Sequence, residues 1–350
     1  GTLMATLRPQ FGRAVTNTDV NGRKQHRAIA AHTEIQDLLS ADVQLQAWGI
    51  NTRLIGSYSR HTARYPGKDV DVFARLENLD TSEMPRRVYD RFEVILVDEY
   101  GLKDQGGRAT PQDRSVKVDF PDPEDDDPLN AFAVDAVPAV RDGQRWAIPT
   151  KDRLQWEQST GRWVTTDPVR FGDLTTALNT ASTTPTVGSQ NAYVPIVRLM
   201  RQARHIHLDD LRPGGLYVEF AVYDTWKAGL VTGDEWDPLL AQTLRAVGNR
   251  FGTAPSVPLL DPGLGTAVSP PLSAEAWIHA REVFTRLADL ADAAVAGERC
   301  FAAAKWREIL GENERGPVFP LPDGCDAGGF AISSVASVTG IGGTEAHGHA

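Results

Sequence analysis

Residues 55–76 read IGSYSRHTARYPGKDVDVFARL, and their types and spacing could carry out chemistry on phosphates. Gly56 and Ser57 follow a strand-like run and begin a turn. Gly56 has no side chain, so backbone amides and the Ser57 hydroxyl can come close to a phosphate. Eleven residues separate Ser57 from Asp69, which opens Asp69-Val70-Asp71 at the head of a second strand-like run. Residues two apart in a strand point to the same face. Asp69 and Asp71 therefore project side by side, while Val70 and Val72 turn into a core. Two carboxylates this close repel unless a cation lies between them, and hard oxygen ligands favour Mg²⁺ or Mn²⁺. A third carboxylate would complete a two-ion site for in-line displacement at phosphorus. Asp119 in SVKVDF and Asp135 in FAVDAVPAV are the two candidates. Asp135 is favoured, because its apolar surroundings suit a central strand. Asp119 runs into the acidic stretch PDPEDDDP.

The elements that must position these residues follow from periodicity. Residues 27–48 place apolar side chains at helical spacing and predict a long amphipathic helix, closed by Gly49. Residues 51–55, 70–76, 115–120 and 132–139 alternate Val, Ile and Phe with polar residues and predict strands. Residues 85–99 read as a helix that runs into a strand. Together they predict an α+β lobe, a half-buried mixed sheet with helices on one side. Residues 151–187 are irregular and Thr-rich, with Trp156, Trp163 and Phe171 as anchors. Helical patterns follow at 191–206, 216–230, 237–251, 274–296 and 299–310, with a Pro-rich loop at 253–271. The expected organisation is a catalytic core over 1–150 with a long N-terminal helix. A connecting segment follows over 151–187, then a helical lobe over 188–315 and a flexible Gly-, Ser- and Ala-rich tail over 316–350.

Composition narrows the partners. The 350 residues carry 36 Lys+Arg against 46 Asp+Glu, a formal net charge of -10. A chain this acidic lacks the broad basic face that extended DNA binding needs. Hydrophobic residues make up 41%, enough for packed lobes rather than disorder. No apolar run has the roughly 20 residues needed to span a bilayer, and nothing reads as a secretory leader. Only Cys300 and Cys325 are present. They give neither a disulfide framework nor a cysteine zinc site, and Cys300 reads as an inert packed thiol. A cytoplasmic protein is expected.

With these residues in place, the sequence resembles a known family. Residues 56–72 look like the G-S…D-h-D-h signature of polymerase-β-like nucleotidyltransferases. Asp135 within VDAVPAV resembles the third-carboxylate strand of one branch. That branch is the CD-NTases, the cGAS/DncV-like nucleotidyltransferases of bacterial CBASS anti-phage systems. RDGQRWAIP at 141–149, Trp163 with Thr166-Asp167-Pro168, and Asn179 resemble a further segment of that branch. Residues 193–204, 215–219 and 303–309 resemble its helical-lobe helices. The resemblance spans about residues 5–311.

It implies a bilobal fold whose cleft binds two nucleoside triphosphates (ATP, GTP or pyrimidine NTPs) with two Mg²⁺ or Mn²⁺ ions. Asp69, Asp71 and Asp135 would hold the metals, and Gly56 and Ser57 the triphosphate. The product would be a cyclic or linear oligonucleotide second messenger; the alternatives are nucleotide transfer to RNA, a small molecule or a protein, or a catalytically idle nucleotide-binding member. Effector, regulatory or ubiquitin-transferase-like proteins are implied partners, with conjugation at Gly348-His349-Ala350 as one route. Family members commonly carry a Lys and a Ser that reach the triphosphate. Here those positions are Arg201 and Gly215. Arg201 can still clamp phosphate, whereas Gly215 offers only a backbone amide. Arg60, Arg64, Lys68 and Arg75 are further phosphate candidates. Tyr58 and Tyr193 could stack on a base or pack between lobes.

Overall fold

Alternation of Val and Ala with polar residues builds the central strands of one seven-stranded sheet. The computed structural model describes residues 7–333. In chain order it begins with helices α1 (Arg8–Thr18), α2 (Gly22–Ser40) and α3 (Val43–Ala47), then strand β1 (Ile50–Ile55). The one-turn helix α4 (Gly56–Ser59) leads to β2 (Asp69–Asp80) and helix α5 (Pro85–Tyr100). Strands β3 (Ala109–Pro111), β4 (Val116–Phe120), β5 (Phe132–Asp142), β6 (Arg145–Pro149) and β7 (Trp163–Thr166) complete the sheet. Six helices follow: α6 (Pro168–Thr180), α7 (Tyr193–Leu208), α8 (Gly215–Lys227), α9 (Trp236–Thr253), α10 (Ala274–Ala296) and α11 (Arg299–Leu310).

The strands run in the order β1-β2-β5-β4-β3, with β6 and β7 extending from β5. The β2–β5 pair is parallel and the other neighbours are antiparallel. One face is covered by α2 and α5, where Val70, Val72, Val134 and Ala136 meet Ile35, Leu39, Val88 and Phe92. The opposite face carries only a small apolar cluster of Phe73, Ala139 and Trp146, which leaves it open to a cleft. The expected α+β bilobal architecture is therefore present, with a second core built among the helices.

Several expectations change. The helix expected over 27–48 starts earlier, at an Asn21 cap, and stops at Ser40. Asp42 then accepts a hydrogen bond from the Leu45 amide at 3.0 Å and caps a new short helix. Helix α5 stays helical to Tyr100 and does not turn into a strand. The segment expected to be an irregular connection holds the seventh strand and the 13-residue α6.

The first helix belongs to the helical lobe. Phe11 is fully buried between Trp306 and Phe319, with both ring centroids 5.0 Å away. The expected flexible tail is also corrected in its described part. Residues 312–313 and 316–317 form a hairpin, and Val318 and Phe319 are fully buried. Cys300 is not a free thiol, because it is bonded to Cys325 and so fastens this strap to α11. The tail beyond 333, with the conjugation site expected at 348–350, lies outside the described residues. Among the described residues no helix is long and apolar enough to cross a membrane.

Because Phe11 joins α1, α11 and the C-terminal strap, Phe11→Ala should cost about 3–5 kcal/mol. Urea unfolding would measure this, and a loss below about 1 kcal/mol would mean that α1 is an appendage.

Candidate active site

The three expected carboxylates come together on the open face through strand register. Asp71 of β2 lies directly opposite Asp135 of β5 in the parallel pair, and Asp69 lies opposite Ala133. In-register residues on parallel neighbours share a face. The same row continues to Ile55 on one side and to Lys117 on the other. Asp119 pairs with Ala133, two places along β4 from the row. Its carboxylate is held by Lys103 at 2.7 Å. The register therefore sets Asp135, and not Asp119, beside Asp71.

The carboxylates perturb each other through burial and like charge. Burial pushes the Asp71 carboxyl up to about 6, with further upward pressure from Asp135 and then Asp69. Burial also raises Asp135, Asp69 adds to that, and Lys117 acts against it. One Asp135 oxygen, Oδ1, is buried with no hydrogen-bond partner. A buried lone acceptor beside a second carboxylate is costly unless a cation meets it. Hard oxygen donors and an orphaned carboxylate oxygen fit Mg²⁺ or Mn²⁺. Among the described residues, no three acidic, His or Cys side chains already form a finished cage.

Gly56 is fixed by the same carboxylate. Its φ is +73°, and a Cβ there would fall 2.3 Å from Asp71 Oδ2. Only glycine allows the turn at the end of β1 to pass this close to Asp71. Ser57 follows it, and its carbonyl accepts from the Thr62 and Ala63 amides at 2.9 and 3.2 Å. The Ser57 hydroxyl makes no hydrogen bond among the described residues and is partly exposed.

The basic residues divide into structural and open ones. Arg60 is buried and donates to Glu219 at 2.6 Å, and Thr62 donates to the same carboxylate at 3.0 Å. Arg201 reaches Glu219 from α7 at 2.8 Å and keeps part of its guanidinium exposed. A Cβ on Gly215 would lie 3.1 Å from Arg201 Nη2. The two departures from the family pattern are thus coupled, since Gly215 leaves room for the larger Arg201. Arg64 donates to Gln202, and Arg75 lies over Trp146. Lys68 is exposed. Tyr58 and Tyr193 are fully buried, so both pack and neither offers a stacking face. Trp156 is a buried anchor, as expected, and Trp226 is buried as well.

No protein-family model matches the chain, and no curated protein does. Solved structures do. The E. coli MS115-1 CdnC structure with ATP superposes with a TM-score of 0.65 at 16% identity, covering 89% of this chain and 98% of that one. The Bradyrhizobium diazoefficiens CD-NTase CdnG in complex with GTP gives 0.66 at 13%, covering 87% and 96%. Vibrio cholerae DncV cyclic AMP-GMP synthase with a linear intermediate gives 0.52 at 13%, covering 87% of each chain. The chain has the CD-NTase fold.

Within this CD-NTase fold, several contributors are invisible in the sequence. Glu219 sits 159 residues from Arg60, so nothing local announces their pairing. Lys24 is buried, and its Nζ donates to Pro66 O at 2.5 Å and Leu129 O at 2.6 Å. It thereby ties the loop before Asp69 to the loop before β5. A cleft of about 670 Å³ opens beside Asp71 and Asp135, edged by the turn 112–115.

The raised Asp71 carboxyl has a measurable sign. Its folded value, about 6, lies above the ordinary 3.8, so the metal-free protein loses stability as pH rises from about 4 through 6. Asp71→Asn should remove that loss and raise the metal-free unfolding midpoint at pH 8 by several degrees, with little effect at pH 4. Thermal unfolding in a chelator checks this. An Asn variant less stable than the parent at pH 8 would contradict it.

Proposed function

We propose that this chain is a metal-dependent nucleotidyltransferase that joins nucleoside triphosphates into a cyclic or linear oligonucleotide second messenger. The observation that carries this reading is the in-register pair Asp71–Asp135 with Gly56 pressed against it. Asp69, Asp71 and Asp135 are the groups that would hold two Mg²⁺ or Mn²⁺ ions. Bound there, such ions supply charge neutralisation at the attacking and leaving oxygens.

The protein's own groups do the rest by positioning. Gly56 lets the backbone approach a triphosphate, and the open Ser57 hydroxyl can donate to it. Arg201 offers the exposed part of its guanidinium to the same phosphates, with Glu219 fixing its direction. A ribose hydroxyl of one nucleotide attacks the α-phosphate of the other, and pyrophosphate leaves. The reaction fits the cleft beside Asp71 and Asp135 on the open sheet face.

The solved CdnC and CdnG structures contain ATP and GTP, and another CdnC structure contains a HORMA protein. ATP and GTP are accordingly the first substrates to test here, and a regulatory protein partner in anti-phage defence is part of the proposal.

The test is one reaction. Purified protein with all four NTPs and Mg²⁺ or Mn²⁺ should yield a phosphatase-resistant oligonucleotide by mass spectrometry. The Asp69→Ala, Asp71→Ala double variant should reduce it by roughly a hundredfold or more. Equal product from parent and variant would refute the site.

A further inference from the structure

The turn between β3 and β4 is built as a rigid platform. The Gln112 amide donates to Ser115 O at 2.9 Å and closes it. The Tyr89 hydroxyl, from α5, lies 3.0 Å from the carbonyls of both Gln112 and Ser115. Arg153 donates to Gln112 O at 2.6 Å and Asp113 O at 3.1 Å. The Arg153 guanidinium itself rests over the rings of Tyr89 and Trp156, at 4.5 and 4.8 Å. The backbone carbonyls of Gln112, Asp113 and Ser115 are therefore tied from outside, and Arg114 stands between them. Its guanidinium makes no hydrogen bond or ion pair among the described residues, although it is only partly exposed. Burial holds its pKa below the ordinary value. A partly desolvated guanidinium without a partner, on a turn fixed by four side-chain bonds, is arranged to meet something else.

What it meets is set by where it sits. Arg114 lines the 670 Å³ cleft together with Asp71, Asp135 and the apolar side chains of Ile55, Val137 and Ile148. Gly56, Ser57 and Arg201 are not among the lining residues: the chain leaves β1 at Gly56 beyond the Ile55–Asp71 pair, whereas Val137 lines the cleft from beside Phe73, further along β2. Joining two nucleotides needs a second pocket there. We propose that Arg114 engages the second nucleotide through a pair of its oxygen or nitrogen acceptors. A guanidinium fork donates and never accepts. It suits the O6/N7 edge of guanine or the oxygens of a triphosphate, and it does not suit the donor–acceptor edge of adenine.

This inference rests on the nucleotidyltransferase reading, so its test reads binding separately from turnover. The full chain is mixed with Mg²⁺ and the α,β-methylene analogues of ATP and GTP, whose α–β bridge cannot be cleaved. Native mass spectrometry and calorimetry then count bound nucleotides. The parent should bind two. Arg114→Ala should keep the first at unchanged affinity and weaken the second by about tenfold or more, the loss expected for one bidentate fork. Arg114→Lys should restore little of it, because an ammonium has no fork.

Repeating the second-site measurement with a nucleoside monophosphate separates the two sources. If the variant still weakens it, the fork reads the base. If the effect vanishes, it reads the outer phosphates. Unchanged second-site binding in Arg114→Ala, equal weakening of both sites, or a parent that binds only one nucleotide overturns the inference alone. A parent that binds none overturns the nucleotidyltransferase reading with it.

Discussion

Like-charge repulsion between two carboxylates held face to face is the constraint around which the rest is arranged. The parallel register of β2 and β5 places Asp71 directly opposite Asp135. Neither can turn into the core, because Val70, Val72, Val134 and Ala136 already fill that face. The neighbouring backbone must then accommodate the carboxylates. Gly56 does so by having no side chain where Asp71 needs space. Lys117, next in the row, pulls Asp135 back toward its charged form. A sheet with such repulsion at its centre would be stabilised by a hard cation, which would link its free energy of folding to ion affinity.

The second constraint is the buried knot between lobes. Glu219 of α8 receives Arg60 and Thr62 from the signature loop and Arg201 from α7. Arg60 and Arg201 hold its carboxyl below the ordinary range against the opposing effect of burial. Further contacts tie the same loop down. Arg315 of the C-terminal strap lies 3.6 Å from the Tyr65 ring centroid and donates to carbonyls at the end of α1. Lys24 holds the carbonyl of Pro66. The loop between Ser57 and Asp69 is thus shaped by residues from both ends of the chain, and the lobes are not independent.

The spacing of the carboxylates was legible because strand geometry is local. Asp69 and Asp71 share a face by period two alone, and the apolar flanks of Asp135 mark a central strand. The late helices read well for the same reason, since their apolar stripes are long and periodic. What the sequence hid is non-local or depends on competing caps. Arg60 and Glu219 meet through the docking of two lobes. The helix expected over 27–48 breaks because Asp42 bonds a nearby amide. The strap at 312–325 lacks periodicity and is held by Phe11, Arg299 and the Cys300–Cys325 bond, none of which a composition argument detects. Its glycines read as a loose tail, although Gly316 and Gly324 take positive-φ turn conformations within a packed segment.

Strand register, rather than acidity alone, would make Asp135 the third metal ligand. Both Asp119 and Asp135 lie on the same sheet, and only Asp135 stands opposite Asp71. The direct measurement is pyrophosphate release from mixed NTPs and Mg²⁺ by the parent, Asp135→Asn and Asp119→Asn. The account predicts a fall of roughly a hundredfold or more for Asp135→Asn and near-parent release for Asp119→Asn. Loss in Asp119→Asn with activity kept in Asp135→Asn would contradict it.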